Sequence, residues 1–292
     1  MLSMMAAALV MCFSAGVERG VEGGIEQPES KDRPHVQFEI VCEQDSIAPG
    51  ETATLGLVFR MEPHWHIYYL GAPGGGNPPS IEESRLPKGY RLGEIQWPAP
   101  QRFVAPGGIY DSVYENEVTL LLPVTAPADA KAGEKVAIGL KMAWLECSDV
   151  CVFGKGQASI ELAVRPKDAK PKPGAGAAKI AASRARLPVP LPTDGSVSAE
   201  LADGALQIRA PGAERLEFYP GQHCSDIEGM PEANVAKGEG MRLKFVNTNG
   251  SAPVADGILG IWFKGGKAGW YVVQRGVEGG SQAPGRGGES GK

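Results

Sequence analysis

Long apolar runs are scarce in this chain of 292 residues. After residue 16, no segment reaches the roughly 18 consecutive apolar residues that a membrane-spanning helix requires. Basic patches are missing as well, because the formal net charge is −5 and no stretch interleaves Lys or Arg with aromatic residues. Nucleic-acid-binding surfaces usually show such a pattern. We therefore expect no membrane span in the mature chain and no nucleic-acid partner.

One apolar run is present at the N-terminus, where residues 1–16 are apolar and rich in small side chains. This stretch is too short to span a bilayer comfortably and is typical of the apolar part of a secretion signal, although the usual preceding basic residues are missing. We predict a signal peptide over residues 1–16 and a periplasmic or otherwise exported protein. A lipid anchor on Cys12 is the alternative, and the bulky Met11 before it disfavours that alternative.

Cysteine is also rare, and two of the five cysteines, Cys147 and Cys151, are separated by only three residues. Apolar residues occupy alternate positions over residues 136–144 and again over 158–164. This period of two predicts two β-strands, with a tight hairpin turn at residues 148–150. Facing strand residues lie about 4.5–5.5 Å apart at Cα, a distance that a disulfide can span. The pair could therefore open and close a disulfide without moving the strands.

Three uses of this pair are compatible with the sequence: a redox or ligand site, a permanent staple, or two unpaired thiols. The chain-entropy model gives a ring of this size only about 2 kcal/mol of stabilisation, which favours the redox use. Cys42 shares the apolar face of a predicted strand, so we expect it in the core. Cys224 follows His223 in a predicted loop, and we expect no site there.

A metal site is a further, less favoured interpretation. His64 and His66 share one face of a strand predicted over residues 64–70, and two histidines at this spacing could bind a metal together with Cys147 and Cys151. The alternative is a pair of surface or hydrogen-bonded histidines. We expect no cofactor.

Short alternating segments separated by Gly and Pro predict an all-β protein with two domains. Residues 35–165 contain about seven to nine such segments, which is typical of a β-sandwich. Residues 101–114 are predicted to be an aromatic loop, because Pro and two Gly interrupt them. The remaining predicted regions are a disordered lead-in (17–34), a Pro/Ala-rich linker (166–192), a second, smaller β domain (193–275) and a disordered Gly-rich tail (276–292). Strands of the second domain are predicted over residues 197–201, 205–209, 215–219, 241–246, 258–263 and 269–274.

Several motifs in the first domain resemble a known family. They are His64-Trp65-His66-Ile67-Tyr68-Tyr69, Leu86-Pro87-Lys88-Gly89-Tyr90, Ile95-Gln96-Trp97-Pro98-Ala99-Pro100, Gln101-Arg102-Phe103, Tyr110–Tyr114 and Trp144–Gly154. Residues 36–164 resemble the N-terminal periplasmic domain of the DsbD/ScsB thiol:disulfide interchange proteins, which is an immunoglobulin-like β-sandwich. Residues 181–273 are more loosely similar to the second β domain of ScsB-type proteins.

The resemblance implies a redox relay. In that family the cysteine pair receives electrons from a thioredoxin-like donor and reduces disulfides of periplasmic client proteins, a chemistry also linked to cytochrome c-type biogenesis. The matching positions are Cys147 and Cys151. An aromatic residue caps the pair in the family, and Phe103 is the best candidate here, with Tyr110 as a second shielding residue. Gln101 and Arg102 replace the acidic residues near the family's cap.

We also predict that Trp144 and Tyr69 contact a partner. The membrane helices and thioredoxin-like domain of the family are missing from the sequence, so we expect a relay that depends on a separate electron donor rather than a complete reductase. The rival hypotheses are a non-catalytic protein-binding module with a structural disulfide and the metal-binding protein described above.

Overall fold

The computed structural model describes residues 34–70, 75–246 and 250–276. The predicted signal peptide and nearly all of the predicted lead-in and tail lie outside these ranges. In the described part of the chain no helix is long and apolar enough to cross a membrane.

The described residues of the first domain form eleven strands. They are β1 (Val36–Cys42), β2 (Ser46–Ile47), β3 (Thr52–Met61), β4 (His66–Tyr68), β5 (Ser80–Arg85), β6 (Arg91–Leu92), β7 (Gln101–Ala105), β8 (Ile109–Glu115), β9 (Glu117–Thr125), β10 (Lys135–Cys147) and β11 (Cys151–Val164). One sheet has the order β1-β3-β9-β6. The other has the order β2-β11-β10-β4-β8-β7, and β5 also pairs with β10. The two sheets form the predicted immunoglobulin-like sandwich.

Alternation along the strands builds the core between these sheets. In β10 the side chains of Val136, Ile138, Leu140, Met142 and Trp144 are buried, and they pack with apolar residues of the facing sheet, among them Leu55, Leu57, Phe59, Leu120 and Leu122. Burial of this much apolar surface is the main force that holds the two sheets together. The intervening residues of β10 face the opposite side of their sheet, and this outer face carries the cysteine pair.

The segment predicted as a linker packs on the first domain. It contains the one helix of the described residues, α1 (Ala177–Arg184). Ile180 of this helix is fully buried. The hydroxyl of Ser183 donates a hydrogen bond to the carbonyl oxygen of Thr119 at 2.5 Å. The side chain of Arg184 forms two hydrogen bonds with the carboxylate of Glu43.

The second domain is also all-β. Its strands are β12 (Val189–Pro190), β13 (Ser198–Ala202), β14 (Ala205–Arg209), β15 (Ala213–Pro220), β16 (Val235–Lys237), β17 (Gly240–Lys244), β18 (Ala255–Phe263) and β19 (Ala268–Arg275). They form a sheet of order β12-β19-β18-β15-β16 and a smaller one of order β13-β14-β17. A second apolar core that includes Leu206, Phe218, Leu243 and Leu259 lies between them. The predicted fold class, a sandwich followed by a smaller β domain, is confirmed.

Two local predictions are wrong. Residues 101–114 are not an aromatic loop, because β7 and β8 pair as an antiparallel hairpin. The glycines that suggested a loop, Gly107 and Gly108, have positive φ values of 91° and 80° and form the turn of this hairpin. The strand predicted from residue 64 begins only at His66, since His64 has a φ of 69° and lies in a turn.

Candidate functional site

The two strands that carry the cysteines place them directly opposite each other. β10 ends at Cys147 and β11 begins at Cys151, and these two residues are partners in the antiparallel register. Their Cα atoms lie 4.1 Å apart, and the two sulfur atoms form a disulfide. Ser148, Asp149 and Val150 form the turn between the strands, as the sequence predicted.

The two halves of this disulfide differ sharply in accessibility. Cys147 is only 2% exposed, whereas Cys151 is exposed. Cys147 is shielded because β4 pairs with the end of β10, where His66 is its register partner. Among the described residues, no further strand pairs with β11 at this end of the sheet, since β2 pairs with β11 only at Ala163 and Val164. Cys151 is therefore the more exposed residue of the disulfide.

Tyr68 supplies a proton donor at the buried sulfur. Its hydroxyl donates a hydrogen bond to Sγ of Cys147 at 3.0 Å and lies 3.9 Å from Sγ of Cys151. Burial, followed by the nearby negative charge of Asp111, raises the pKa of the Tyr68 phenol. The hydroxyl therefore keeps its proton at neutral pH and can stabilise a thiolate that forms on Cys147.

An aromatic layer covers the buried side of the pair. Phe103 packs against the cluster formed by Tyr68, Val113 and Cys147. Its ring lies 4.5 Å from that of His66, measured between centroids. Burial lowers the pKa of His66, which favours its neutral form beside the disulfide. The predicted cap residue thus lies on the same outer face of the sheet as the cysteines.

Apolar residues on either side of Cys151 in the sequence lie at the surface. Val150, Val152 and Phe153 are all exposed, and Phe153 reaches 74% exposure. Because alternate residues of a strand share a face, Phe153 lies on the same face of β11 as Cys151, and Val152 lies on the other.

Buried contacts of Trp144 and Glu146 fix the end of the β10–β11 hairpin that carries the cysteines. The indole Nε1 of Trp144 donates a hydrogen bond to the buried carboxylate of Glu146 at 2.7 Å. The other oxygen of this carboxylate accepts the backbone N–H of His35 at 3.0 Å. At Gly154, the register partner of Trp144, the indole ring occupies the space that a side chain would need, so only glycine fits.

The other predicted site residues lie at different places. Trp144 is 2% exposed and packs edge-on against Phe59 in the core. Tyr69 packs against Trp97 and Tyr114 on the side of the sheet opposite the cysteines. Neither side chain is on the surface around Cys151, and their role in partner binding stays a prediction.

Tyr110 also lies away from the cysteines. It is buried, its hydroxyl lies 3.1 Å from the hydroxyl of Ser112, and the guanidinium of Arg102 lies 5.9 Å from its ring centroid. Tyr110 and Ser112 alternate with Asp111 and Val113 along β8, so they face away from the disulfide.

The structure does not assemble the metal site that the sequence allowed. Within residues 34–70, 75–246 and 250–276, no group of three or more His, Cys, Asp or Glu side chains is arranged to hold a metal ion. His64 lies in a turn and does not share a strand face with His66, and both sulfurs of the pair are in the disulfide.

The remaining described cysteines are free thiols. Cys42 is buried in the core of the first domain, as predicted, and Cys224 is half-buried in the second domain. Burial raises the pKa of Cys224 to about 11, so its thiol is protonated at neutral pH. Neither thiol is bonded to the pair.

Sequence reasoning missed Tyr68 as a site residue. The signal was present, because residues i and i+2 of a strand share a face and His66 was already placed on one face of that strand. It missed Arg102 as a contact of the second domain, which no local pattern could reveal.

The comparisons with known proteins agree with this geometry. The family model for the N-terminal part of the thiol:disulfide interchange protein DsbD matches residues 37–162. These residues are a DsbD-type N-terminal domain. The DsbD-type domain spans both sheets of the sandwich and includes both cysteines, so it is a thiol:disulfide interchange domain. The resemblance inferred from the sequence motifs is confirmed.

The fold extends the likeness beyond the DsbD-type domain. The chain is similar to the N-terminal periplasmic domain of ScsB from Proteus mirabilis, with a TM-score of 0.53 and 15% identity over 84% of this chain and 94% of that chain. At this identity the likeness concerns the fold.

Two further solved structures are much more distant. The YadV chaperone has a TM-score of 0.20, with 12% identity over 80% of this chain and 98% of that chain. Spo0M from Bacillus subtilis has a TM-score of 0.22, with 9% identity over 83% of this chain and 91% of that chain. At these scores neither supports an argument. No curated protein matches the chain.

Proposed function

We propose that the protein is an exported thiol:disulfide relay, which accepts reducing equivalents from a thioredoxin-like donor and passes them to disulfides of client proteins. The observation that carries this proposal is the asymmetry of the disulfide, with Cys151 exposed and Cys147 buried against the Tyr68 hydroxyl. A permanent staple has no need of such an arrangement.

The loading step begins at Cys151, the exposed residue of the pair. A donor thiolate attacks Sγ of Cys151, a bond forms between the two proteins, and the Cys147–Cys151 bond breaks. Cys147 leaves as a thiolate, and the hydroxyl of Tyr68 stabilises it by a hydrogen bond. The second donor thiol then attacks the donor sulfur of the mixed disulfide and releases Cys151. Two electrons and two protons have moved to the pair, and the donor is left oxidised.

The delivery step runs in the opposite direction. The thiolate of Cys151 attacks a client disulfide and forms a mixed disulfide, while one client sulfur leaves as a thiolate. Cys147 then attacks Sγ of Cys151, restores the internal disulfide and releases the reduced client. The exposed side chain of Phe153, on the same face of β11 as Cys151, offers an apolar contact to either partner.

The experiment that tests this proposal compares Cys147→Ser with Cys151→Ser. Both variants also carry Cys224→Ser, so that the half-buried thiol cannot contribute. Each reduced variant is mixed with a thioredoxin that lacks its resolving cysteine and whose attacking cysteine carries 2-nitro-5-thiobenzoate. Attack by a protein thiolate releases this coloured group and leaves a mixed disulfide between the two proteins.

Because Cys151 is exposed, we expect Cys147→Ser to form the mixed disulfide at least about tenfold faster than Cys151→Ser. Equal rates would contradict the assignment of Cys151 as the attacking residue. If neither variant formed a mixed disulfide, the relay would be wrong and the pair would be a structural staple in a binding module.

A further inference from the structure

The β7–β8 hairpin has two functional faces. Register pairs along it alternate between Phe103 with Asp111 on one face and Arg102 with Ser112 on the other. The first face packs over the site, since Phe103 contacts the cluster that contains Cys147. The second face points away from the cysteines.

That second face is bonded to the second domain through Arg102. The guanidinium Nη2 donates a hydrogen bond to the carbonyl oxygen of Pro231 at 2.7 Å. Its Nε donates a longer one to Oδ1 of Asn234 at 3.4 Å. The guanidinium also lies over the ring of Tyr110 of the same hairpin. One side chain thus links the strand that carries Phe103 to a loop 129 residues further along the chain.

Asn234, one of the two acceptors on the second domain, is fixed in position by its own hydrogen bonds. Asn234 is fully buried, and its side-chain Nδ2 donates a hydrogen bond to the carbonyl oxygen of Phe218 at 3.0 Å. The backbone N–H of Phe218 donates in return to the carbonyl oxygen of Asn234 at 2.9 Å. Because Phe218 lies in the central part of β15, Arg102 is bonded to a fixed part of the second domain.

The base of the hairpin is tied to the same side of the molecule. Ala99, two residues before β7, forms two hydrogen bonds with Arg186. The backbone N–H of Ala99 donates to the carbonyl oxygen of Arg186 at 2.8 Å. The guanidinium of Arg186 donates to the carbonyl oxygen of Ala99 at 2.6 Å. Ala99 is also buried in a small apolar cluster with Tyr219 and Ile258 of the second domain. Ala99 therefore fixes the base of the hairpin, and Arg102, three residues further along and next to Phe103, adds a polar link to the second domain.

From these contacts we propose that the second domain controls access to the disulfide by holding the β7–β8 hairpin closed, with Arg102 as the positioning residue that acts through Phe103. The inference rests on the proposed function, because it concerns access of thiols to the same cysteine pair. It gives the second domain a role: its contact with Arg102 sets how often the cap opens.

The test measures the rate at which dithiothreitol reduces the disulfide in the full chain. A dithiothreitol thiolate attacks Cys151, Cys147 leaves as a thiolate, and the second reagent thiol then displaces Cys151, which leaves cyclic oxidised dithiothreitol and two protein thiols. We compare the wild type with Arg102→Ala, Arg102→Lys, Phe103→Ala and the double variant. Arg209→Ala, which removes an exposed arginine in β14, is the matched control.

Loss of the charge-assisted hydrogen bonds of Arg102 shifts the cap toward its open form, so we expect Arg102→Ala to be reduced about tenfold faster than the wild type. Phe103→Ala should be at least as fast, and Arg102→Ala should add nothing in the Phe103→Ala background. Arg102→Lys, which keeps a donor for the Pro231 carbonyl, should restore most of the slow rate, and Arg209→Ala should match the wild type.

Each contrary result has a separate meaning. A faster Phe103→Ala with an unchanged Arg102→Ala would overturn control by the second domain and leave the relay intact. An equal acceleration by Arg102→Ala in both backgrounds would show that Arg102 does not act through Phe103. Unchanged rates in both single variants would overturn the inference entirely, whereas failure of the relay itself would appear as the absence of mixed disulfides with thioredoxin.

Discussion

The hydroxyl of Tyr68 donates a hydrogen bond to Sγ of Cys147 at 3.0 Å, which places a proton donor beside the buried sulfur of the disulfide. Cys147 is the sulfur that leaves when a thiolate attacks the exposed Cys151, and a stabilised thiolate leaves faster. Tyr68 therefore has a role in the exchange that its burial in an aromatic cluster would not suggest.

Tyr68→Phe should slow reduction of the disulfide by at least about tenfold, because a hydrogen bond to a charged group contributes about 1.5–3 kcal/mol. The phenylalanine ring keeps the packing against Val113, so the free energy of unfolding should change little. Dithiothreitol reduction kinetics provide the measurement. The control is Tyr271→Phe, which changes a partly buried tyrosine of the second domain. Equal rates for Tyr68→Phe and the wild type would show that the hydroxyl does not assist the leaving sulfur.

Gly154→Ala should destabilise the first domain. A methyl group at this position would overlap the indole of Trp144 and lie 2.7 Å from Oε2 of Glu146. Overpacking of a well-packed site typically costs about 1–3 kcal/mol. Urea unfolding of the oxidised protein gives the value. Gly139→Ala, in the middle of β10, is the matched control because its nearest neighbour would lie 3.6 Å away. A similar loss in both variants would contradict the role assigned to Gly154.

The stability of the first domain should decrease at acidic pH because of His66. Burial lowers its pKa below the ordinary value of 6.5. Below pH 6.5 the unfolded chain binds a proton that the folded domain disfavours, so the free energy of unfolding falls as pH decreases and is fully regained above 6.5.

Urea unfolding at about pH 7.5 and about pH 5.5 measures this effect. His66→Phe keeps an aromatic ring against Phe103 and removes the titrating group, so its loss of stability over this interval should be smaller than that of the wild type. His223→Gln, which changes an exposed histidine, should behave as the wild type does. The same pH dependence in all three proteins would mean that His66 is not the group responsible.

The sequence predicted the parts of this fold that depend on local alternation. The strands around the cysteine pair and six strands of the second domain follow a period of two, which burial on one face of a sheet imposes. The hairpin at residues 101–114 was missed because Pro106, Gly107 and Gly108 interrupt that period. These residues form its turn, where positive φ values favour glycine.

Contacts between distant segments were beyond such reasoning. The unequal exposure of Cys147 and Cys151 depends on which strands pair with β10 and β11 at this end of the sheet. The register of β4 with β10 cannot be inferred from the sequence of either segment alone. The bond between Arg102 and Pro231 likewise joins two domains that the sequence presents as separate.

The proposed relay requires Cys147 and Cys151 to carry electrons between proteins. The most direct measurement uses the pre-reduced full chain with an excess of a protein disulfide substrate, with and without a reduced thioredoxin-like donor that is itself kept reduced. Without the donor, each molecule should deliver one pair of electrons, because the pair stores no more. With the donor, reduction should continue over many cycles, and Cys151→Ser should abolish it while leaving the fold intact. A pair that delivered no electrons under either condition would contradict the relay.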